Sequence, residues 1–404
     1  MSVPPDLPLL LDGGTGTALL AAGMPKGCCT EEWVLQHPQA LLELQKSYAD
    51  AGAQAVLTPT FGASAPALSR FGRAQLVREY NLRLAELSRR AVGSRVLLGG
   101  DLGPAGLTCA PFGETPFLEL VAAYAEQALI LKEAGVDFIF CETMLSLTEA
   151  RAAFLGARQT GLPVMVSMLL NEQGKTFSGG DPLAALVSLQ RLGAAAFGFN
   201  CSAGPQAVLE ALQAVEPYAV TPLIAKPSAG LPGVEPGYLS PEAMAGWTER
   251  LFLSGARVLG GCCGSGPEHI RAMGQALHAL PAAPVPYHDD NIIASTETEA
   301  FFLNEDLETS EPVECSVDMA DALLAAAEPG CDTVCIHLKS VDDAHEFAGN
   351  AHLLHLPPAF LAETEEALES ALIHYQGRAV IDSRSEVERD VLEALAQGYG
   401  ALLF

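Results

Sequence analysis

The sequence of 404 residues predicts a parallel (β/α)8 barrel, a TIM barrel, followed by a smaller C-terminal α/β domain. Short aliphatic runs alternate with longer amphipathic ones eight times before residue 280. No G-x-G-x-x-G opens the first helical pattern, as an open dinucleotide-binding sheet would require. Polar and cysteine residues gather at the ends of the aliphatic runs, which is where such barrels carry their sites.

The eight runs are LLLDGG (9–14), AVLTPTF (55–61), VLLGGDLG (96–103), FIFCETM (138–144), PVMVSMLL (163–170), AAFGFNCS (195–202), PLIAKPSAG (222–230) and VLGGCCG (258–264). Helical patterns lie between them, among them 38–52, 117–135 and 205–217, and several close on the glycine expected just past a helix. Strand-end positions then fall on Asp12, Thr58, Thr60, Asp101, Glu142, Asn200, Cys201, Cys262 and Cys263. The proline-rich, partly acidic stretch 280–290 reads as a linker, so residues 1–280 form the barrel, 281–290 the linker and 291–404 a second domain. In that domain 332–339, 351–357, 378–383 and 400–404 read as strands, and 318–330 and 386–398 as helices.

Charge is unevenly spread. Residues 285–404 carry 25 acidic and 4 basic side chains, a net −21, out of −27 for the whole chain. A surface of that sign repels phosphate backbones and excludes nucleic acid as a partner. The N-terminus has no basic segment followed by an apolar one, and nowhere do 18 apolar residues run together, so no membrane is expected and the cytoplasm is the expected location. Ten cysteines in that reducing compartment point to metal binding rather than to a disulfide framework.

Three thiols stand out. GFNCS supplies Cys201 and GGCCG supplies Cys262 and Cys263, at the ends of the sixth and eighth strands, whose side chains reach a common axis. Soft thiolates select zinc over magnesium or calcium, and three ligands leave a fourth position open for chemistry. Gly260, Gly261 and Gly264 are expected to let the backbone turn and aim two successive side chains at one ion. The other vicinal pair, Cys28–Cys29, lies in a loop and is not bracketed by glycines on both sides, and it is expected not to bind metal, as is Cys331 with Cys335. Cys109, Cys141 and Cys315 read as packing residues.

DGGTGT (12–17), TPTFGA (58–63), ETM (142–144), GFNCS (198–202) and GGCCG (260–264), in this order, resemble the homocysteine S-methyltransferases over residues 5–280. GGDP (179–182), KPSAGLP (226–232) and GCCGSGPEHIRAM (261–273) bring the likeness nearest to the homocysteine-binding module of cobalamin-dependent methionine synthase. The resemblance implies a transferase of methionine biosynthesis that activates the homocysteine thiolate on zinc. On its residue type alone, Glu142 reads equally as a rim salt-bridge partner or as the carboxylate for an ammonium; the resemblance implies the second. Asp12, Gly13, Gly14, Thr15 and Thr58 would complete the substrate pocket, Asn200 would brace the metal loop within it, and Asp101 is given only a supporting role.

The likeness favours a methylcorrinoid carried on a separate protein as methyl donor. S-methylmethionine or betaine is the alternative, and a non-catalytic zinc-binding regulatory protein is the reading outside enzymes. Cobalamin itself enters only on a partner: the nearest string to a D-x-H-x-x-G cobalt-ligand signature, Asp343 to Ala348 around His345, lacks the glycine and reads as an exposed helix segment.

Overall fold

The computed structural model describes residues 7–230, 237–280, 292–304, 306–327 and 330–404. The proposed linker 281–290 lies outside the described residues. Eight strands, β1 (Leu9–Leu10), β2 (Ala55–Leu57), β3 (Leu97–Leu102), β4 (Phe138–Met144), β5 (Val164–Leu169), β6 (Ala196–Cys201), β7 (Leu223–Pro227) and β8 (Ala256–Leu259), form one parallel sheet. Its order is β1-β8-β7-β6-β5-β4-β3-β2, with helices between successive strands, so the TIM-barrel expectation holds.

The seam between β1 and β2 is drawn together by polar atoms. Gln54 N donates to the Leu10 carbonyl at 2.8 Å, Gln54 Oε1 accepts from Leu10 N at 2.8 Å, and Asp12 Oδ2 accepts from Leu57 N at 3.0 Å. Asp12 therefore joins the barrel as well as facing its mouth.

The period of two along each strand divides the barrel interior into levels. Leu9, Leu11, Ala55, Leu57, Phe138, Phe140, Met165, Ala196, Ile224 and Val258 form an apolar plug. Two residues further along the same strands come Glu142 after Phe140, Ser167 after Met165 and Lys226 after Ile224. A polar floor thus rests on an apolar plug. Outside the sheet, the helices start on side-chain caps and prolines: Ser146 accepts from Glu149 N, Asp181 from Leu183 N beside Pro182, and Ser240 from Ala243 N beside Pro241.

Beyond residue 292 an antiparallel hairpin, β9 (Ile293–Ser295) and β10 (Ala300–Phe302), leads to a second parallel sheet. Its strands, β11 (Val313–Glu314), β12 (Val334–Leu338), β13 (Pro358–Ala362), β14 (Val380–Ile381) and β15 (Leu402–Leu403), lie in sequential order. Strands were expected at 332–339, 378–383 and 400–404, and β12, β14 and β15 fall there. The expected strand at 351–357 does not form. Ala351–Leu353 is a 3-10 turn and the strand begins at Pro358, because a short apolar run has no periodicity that separates strand from turn, and proline is admitted as a first strand residue. The expected helices are found at Ala320–Ala326 and Arg389–Tyr399.

The segment packs on the barrel's flank. Asp181 N donates to Thr298 O at 2.8 Å, Thr148 Oγ1 to Glu297 Oε1 at 2.6 Å, and Ser188 Oγ bonds Ser295 Oγ at 2.9 Å. Arg151, fully buried on the helix after β4, donates to Leu372 O at 3.1 Å, satisfying a carbonyl in the last turn of the helix Glu365–His374. Among the described residues, no helix is long and apolar enough to cross a membrane.

Candidate metal and substrate site

Cys201, Cys262 and Cys263 meet at the barrel mouth, their sulfurs all within 4.8 Å of one another. Cys201 Sγ lies 3.8 Å from Cys263 Sγ. Tetrahedral zinc with bonds of about 2.3 Å places its sulfur ligands about 3.8 Å apart, so the donors fit that ion in both type and spacing. Among the described residues no other group of His, Cys, Asp or Glu has such proximity. Cys29 instead stands just before the helix Thr30–Gln36, with its thiol 3.4 Å from Glu31 Oε2, while Cys109, Cys141 and Cys335 are buried.

Backbone bonds hold the trio in place. The start of the loop after β7 lies between the two cysteine-bearing loops: Ser228 N donates to Cys201 O, Ala229 N to Cys263 O, and Cys262 N to Pro227 O. Cys201 and Ser202 both have φ of 55°, a left-handed conformation that non-glycine residues adopt at a cost. Of the three flanking glycines only Gly264 has positive φ, at 78°. Gly260 and Gly261 serve close approach instead, since a Cβ on Gly261 would stand 2.0 Å from Ser265 Oγ and one on Gly260 2.9 Å from Leu11 Cβ.

The thiols share protons unequally. Donation from Cys201 and Cys262 holds Cys263 down to about 3, whereas Cys201, the donor to both neighbours and partly buried, is pushed far up. One thiolate forms readily and a second is opposed by the first. A bound dication removes that opposition, because it neutralises the charge that the thiolates would otherwise present to one another.

The glycines of the first loop fit against this one. Gly14 N donates to Ser265 O at 2.9 Å, Gly261 N to Asp12 O at 3.0 Å, and Gly264 N to Thr17 Oγ1 at 3.2 Å. A Cβ on Gly13 would meet Ser265 O at 2.6 Å, and one on Gly14 would meet Cys262 O at 2.5 Å. Thr15 opens the following helix, Thr15–Ala21.

Asn200 sits between the halves of the site. Its Oδ1 accepts from Thr143 N at 3.1 Å and from Ser167 Oγ at 2.9 Å; its Nδ2 donates to Thr143 Oγ1 at 2.7 Å and lies 3.8 Å from Cys262 Sγ. Thr143 has φ of 62°, so Asn200 clamps a strained residue next to Glu142. Thr58 is wholly buried. Its hydroxyl accepts from Asp101 N at 3.0 Å and bonds Thr60 Oγ1 at 2.6 Å, while Thr60 donates to Asp101 O at 2.8 Å, so both threonines hold the backbone of Asp101.

The residue that sequence reading missed is Lys226. Its ammonium crosses the floor from β7 to Glu142 on β4, with Nζ 2.5 Å from Oε1 and both side chains buried, and lies 5.3 Å from the centre of the Phe140 ring. A lysine inside the aliphatic run PLIAKP was the available signal, since lysine is almost never fully buried unless paired. Burial alone would lower its pKa; the Glu142 and Asp12 carboxylates more than offset this and hold it charged. Burial pushes Asp12 up to about 7, against the pull of Lys226, and pushes Asp101 and Glu142 up as well. Removing one partner of a buried pair leaves the other uncompensated. Lys226→Met is therefore expected to destabilise the fold by about 3–5 kcal/mol in denaturant unfolding, and adding Glu142→Gln should recover most of that loss.

Three convergent thiols over a polar floor at the mouth of a (β/α)8 barrel define a barrel protein with a candidate soft-metal site. Residues 9–277 match the family described as homocysteine S-methyltransferase, and the chain belongs to that family. It is similar to the methionine synthases of Mycobacterium tuberculosis, 33% identical over 294 residues, and Mycobacterium leprae, 31% identical over 303 residues. These matches cover 66% and 68% of the chain but 24% and 25% of the relatives, so the chain spans about a quarter of their length. The metallated form of the homocysteine methyltransferase MmuM from Escherichia coli is similar at 26% identity and a TM-score of 0.55, covering 66% of this chain and 95% of that one. The oxidized form of the same protein gives 25% and 0.56 over the same shares.

Proposed function

We propose that this chain is a zinc-dependent methyltransferase that converts homocysteine to methionine, with the methyl group delivered by a methylcorrinoid on a separate protein. The observation that carries the reading is the trio of Cys201, Cys262 and Cys263 sulfurs at zinc-ligand spacing, with no fourth protein ligand among the described residues. When bound, zinc supplies an open position in which a thiol near pKa 8.5 loses its proton at neutral pH while remaining a nucleophile. The substrate sulfur then forms a bond to the methyl carbon, and the donor leaves with the electron pair of the broken bond.

The polar floor orients the amino-acid end. Asp12 and Glu142 provide negative charge for the substrate ammonium, Gly13, Gly14 and Thr15 shape the pocket wall against the GGCCG loop, and Thr58 and Asn200 hold its supports. Residues 1–280 carry this chemistry, and 291–404 form a separate acidic domain. The cytoplasm suits ten free thiols.

The resemblance of residues 179–182, 226–232 and 261–273 to the homocysteine module of the cobalamin-dependent enzyme, alongside similarity to proteins named methionine synthase, favours the corrinoid donor. A donor of the S-methylmethionine or betaine type is the second reading, favoured by the match to 95% of a homocysteine methyltransferase hardly longer than the barrel. Purified zinc-loaded protein should be assayed for methionine with S-methylmethionine, betaine and a methylated corrinoid protein in turn. Turnover with the corrinoid protein alone is the expected result. Full turnover with S-methylmethionine alone overturns the donor assignment and leaves the thiol chemistry standing.

A further inference from the structure

The floor holds three carboxylates, Asp12, Asp101 and Glu142, against the single ammonium of Lys226, and all four side chains are buried. Their unequal bonding is informative. Glu142 Oε1 is already taken by Lys226, and Asp12 Oδ2 accepts from Leu57 N. Asp12 Oδ1 and Asp101 Oδ1 are buried and have no hydrogen-bond partner among the described residues. Leaving a buried carboxylate oxygen without a donor is costly, and native structures rarely do so without a function for it.

We infer that Asp101 is a substrate-recognition residue that receives the ammonium of homocysteine together with Asp12. The inference rests on the homocysteine reading above and deepens it. An entering ammonium brings three N–H donors and one positive charge, supplying both what the two oxygens lack and what the floor lacks. The backbone of Asp101 is fixed by its neighbours. Thr58 Oγ1 accepts from its backbone N–H, and Thr60 Oγ1 donates to its carbonyl. A purely supporting aspartate would have its carboxylate tied up in bonds; here the backbone is tied and the side-chain Oδ1 is free. Lys226 contributes indirectly: it takes Glu142 Oε1, and Asp12 Oδ1 and Asp101 Oδ1 are left as the deeply buried carboxylate oxygens of the floor without a donor among the described residues.

The test compares homocysteine with 4-mercaptobutyrate, which keeps the thiol and the carboxylate and lacks the ammonium. Dissociation constants for both are measured by titration calorimetry on full-length zinc-loaded wild type and Asp101→Asn, scaled to the fraction of protein holding metal. Asp101→Asn should weaken homocysteine binding about 10- to 100-fold, the range for a charge-assisted hydrogen bond, and shift 4-mercaptobutyrate by no more than about threefold. A purely structural role would weaken both thiols alike, and an unchanged preference for homocysteine in the variant overturns the inference about Asp101 alone. Wild type that binds the two thiols equally overturns the homocysteine reading and this inference with it. Should Asp101→Asn fail to fold, Asp101→Ser is read by the same ratio.

Discussion

Cys262→Ser is expected to lose its zinc and its methyl transfer together. Wild type should hold about one zinc per chain, since a single three-thiol group is present among the described residues. A serine oxygen is a hard donor, protonated at neutral pH, and cannot replace a thiolate on a borderline-soft ion. Changing a residue that only supports a ligand costs roughly 10–100-fold in metal affinity, and losing a ligand should exceed that. Cys201→Ser and Cys263→Ser should behave alike, because the trio has no spare member. Cys28→Ser is the control: its thiol stands outside the cluster, and zinc content should not change. Metal analysis after dialysis, paired with methionine formation, reads both effects. Stoichiometric zinc with full activity in Cys262→Ser sinks the metal assignment.

Gly14→Ala should damage the same site from the opposite loop. The added Cβ would stand 2.5 Å from the Cys262 carbonyl oxygen and 2.7 Å from Thr17 Oγ1, both well inside contact distance. Relief requires the 12–17 loop or the Cys262 backbone to move, and the bond from Gly14 N to Ser265 O opposes either shift. Overpacking of this kind costs about 1–3 kcal/mol of stability. Zinc affinity, measured by competition with a chelator, should fall roughly 10–100-fold, as it does when the support of a ligand is disturbed. Gly16→Ala is the matched control two residues away, with nothing within 4 Å of its Cβ and a helical position that alanine favours. Equal zinc affinity in the two variants would remove the supporting role given to Gly14.

Much of this was legible because period and spacing act locally. Eight aliphatic runs separated by helical ones specify a parallel barrel, and a barrel brings its strand ends together, so GFNCS and GGCCG could be joined without a structure. The floor was harder to read. Lys226 reaches across the barrel to Glu142, and no spacing rule links β7 with β4. Glu142 was open between a salt bridge and a substrate contact; the structure supplies the salt bridge, and the substrate contact remains part of the proposed function. Gly260 and Gly261 were expected to turn the chain and instead permit close approach, a distinction that depends on neighbours distant in sequence. The second sheet was read only in part, because strands of two to five residues leave too few positions for a period to show.

The central claim is that three thiolates of this chain hold zinc and that the fourth position belongs to the substrate thiol. X-ray absorption at the zinc edge, on full-length protein with and without homocysteine, tests it most directly. Three sulfurs and one lighter ligand at rest, becoming four sulfurs when homocysteine is added, is the predicted result. Four sulfurs in the resting protein, unchanged by homocysteine, would contradict it and mark a closed structural site.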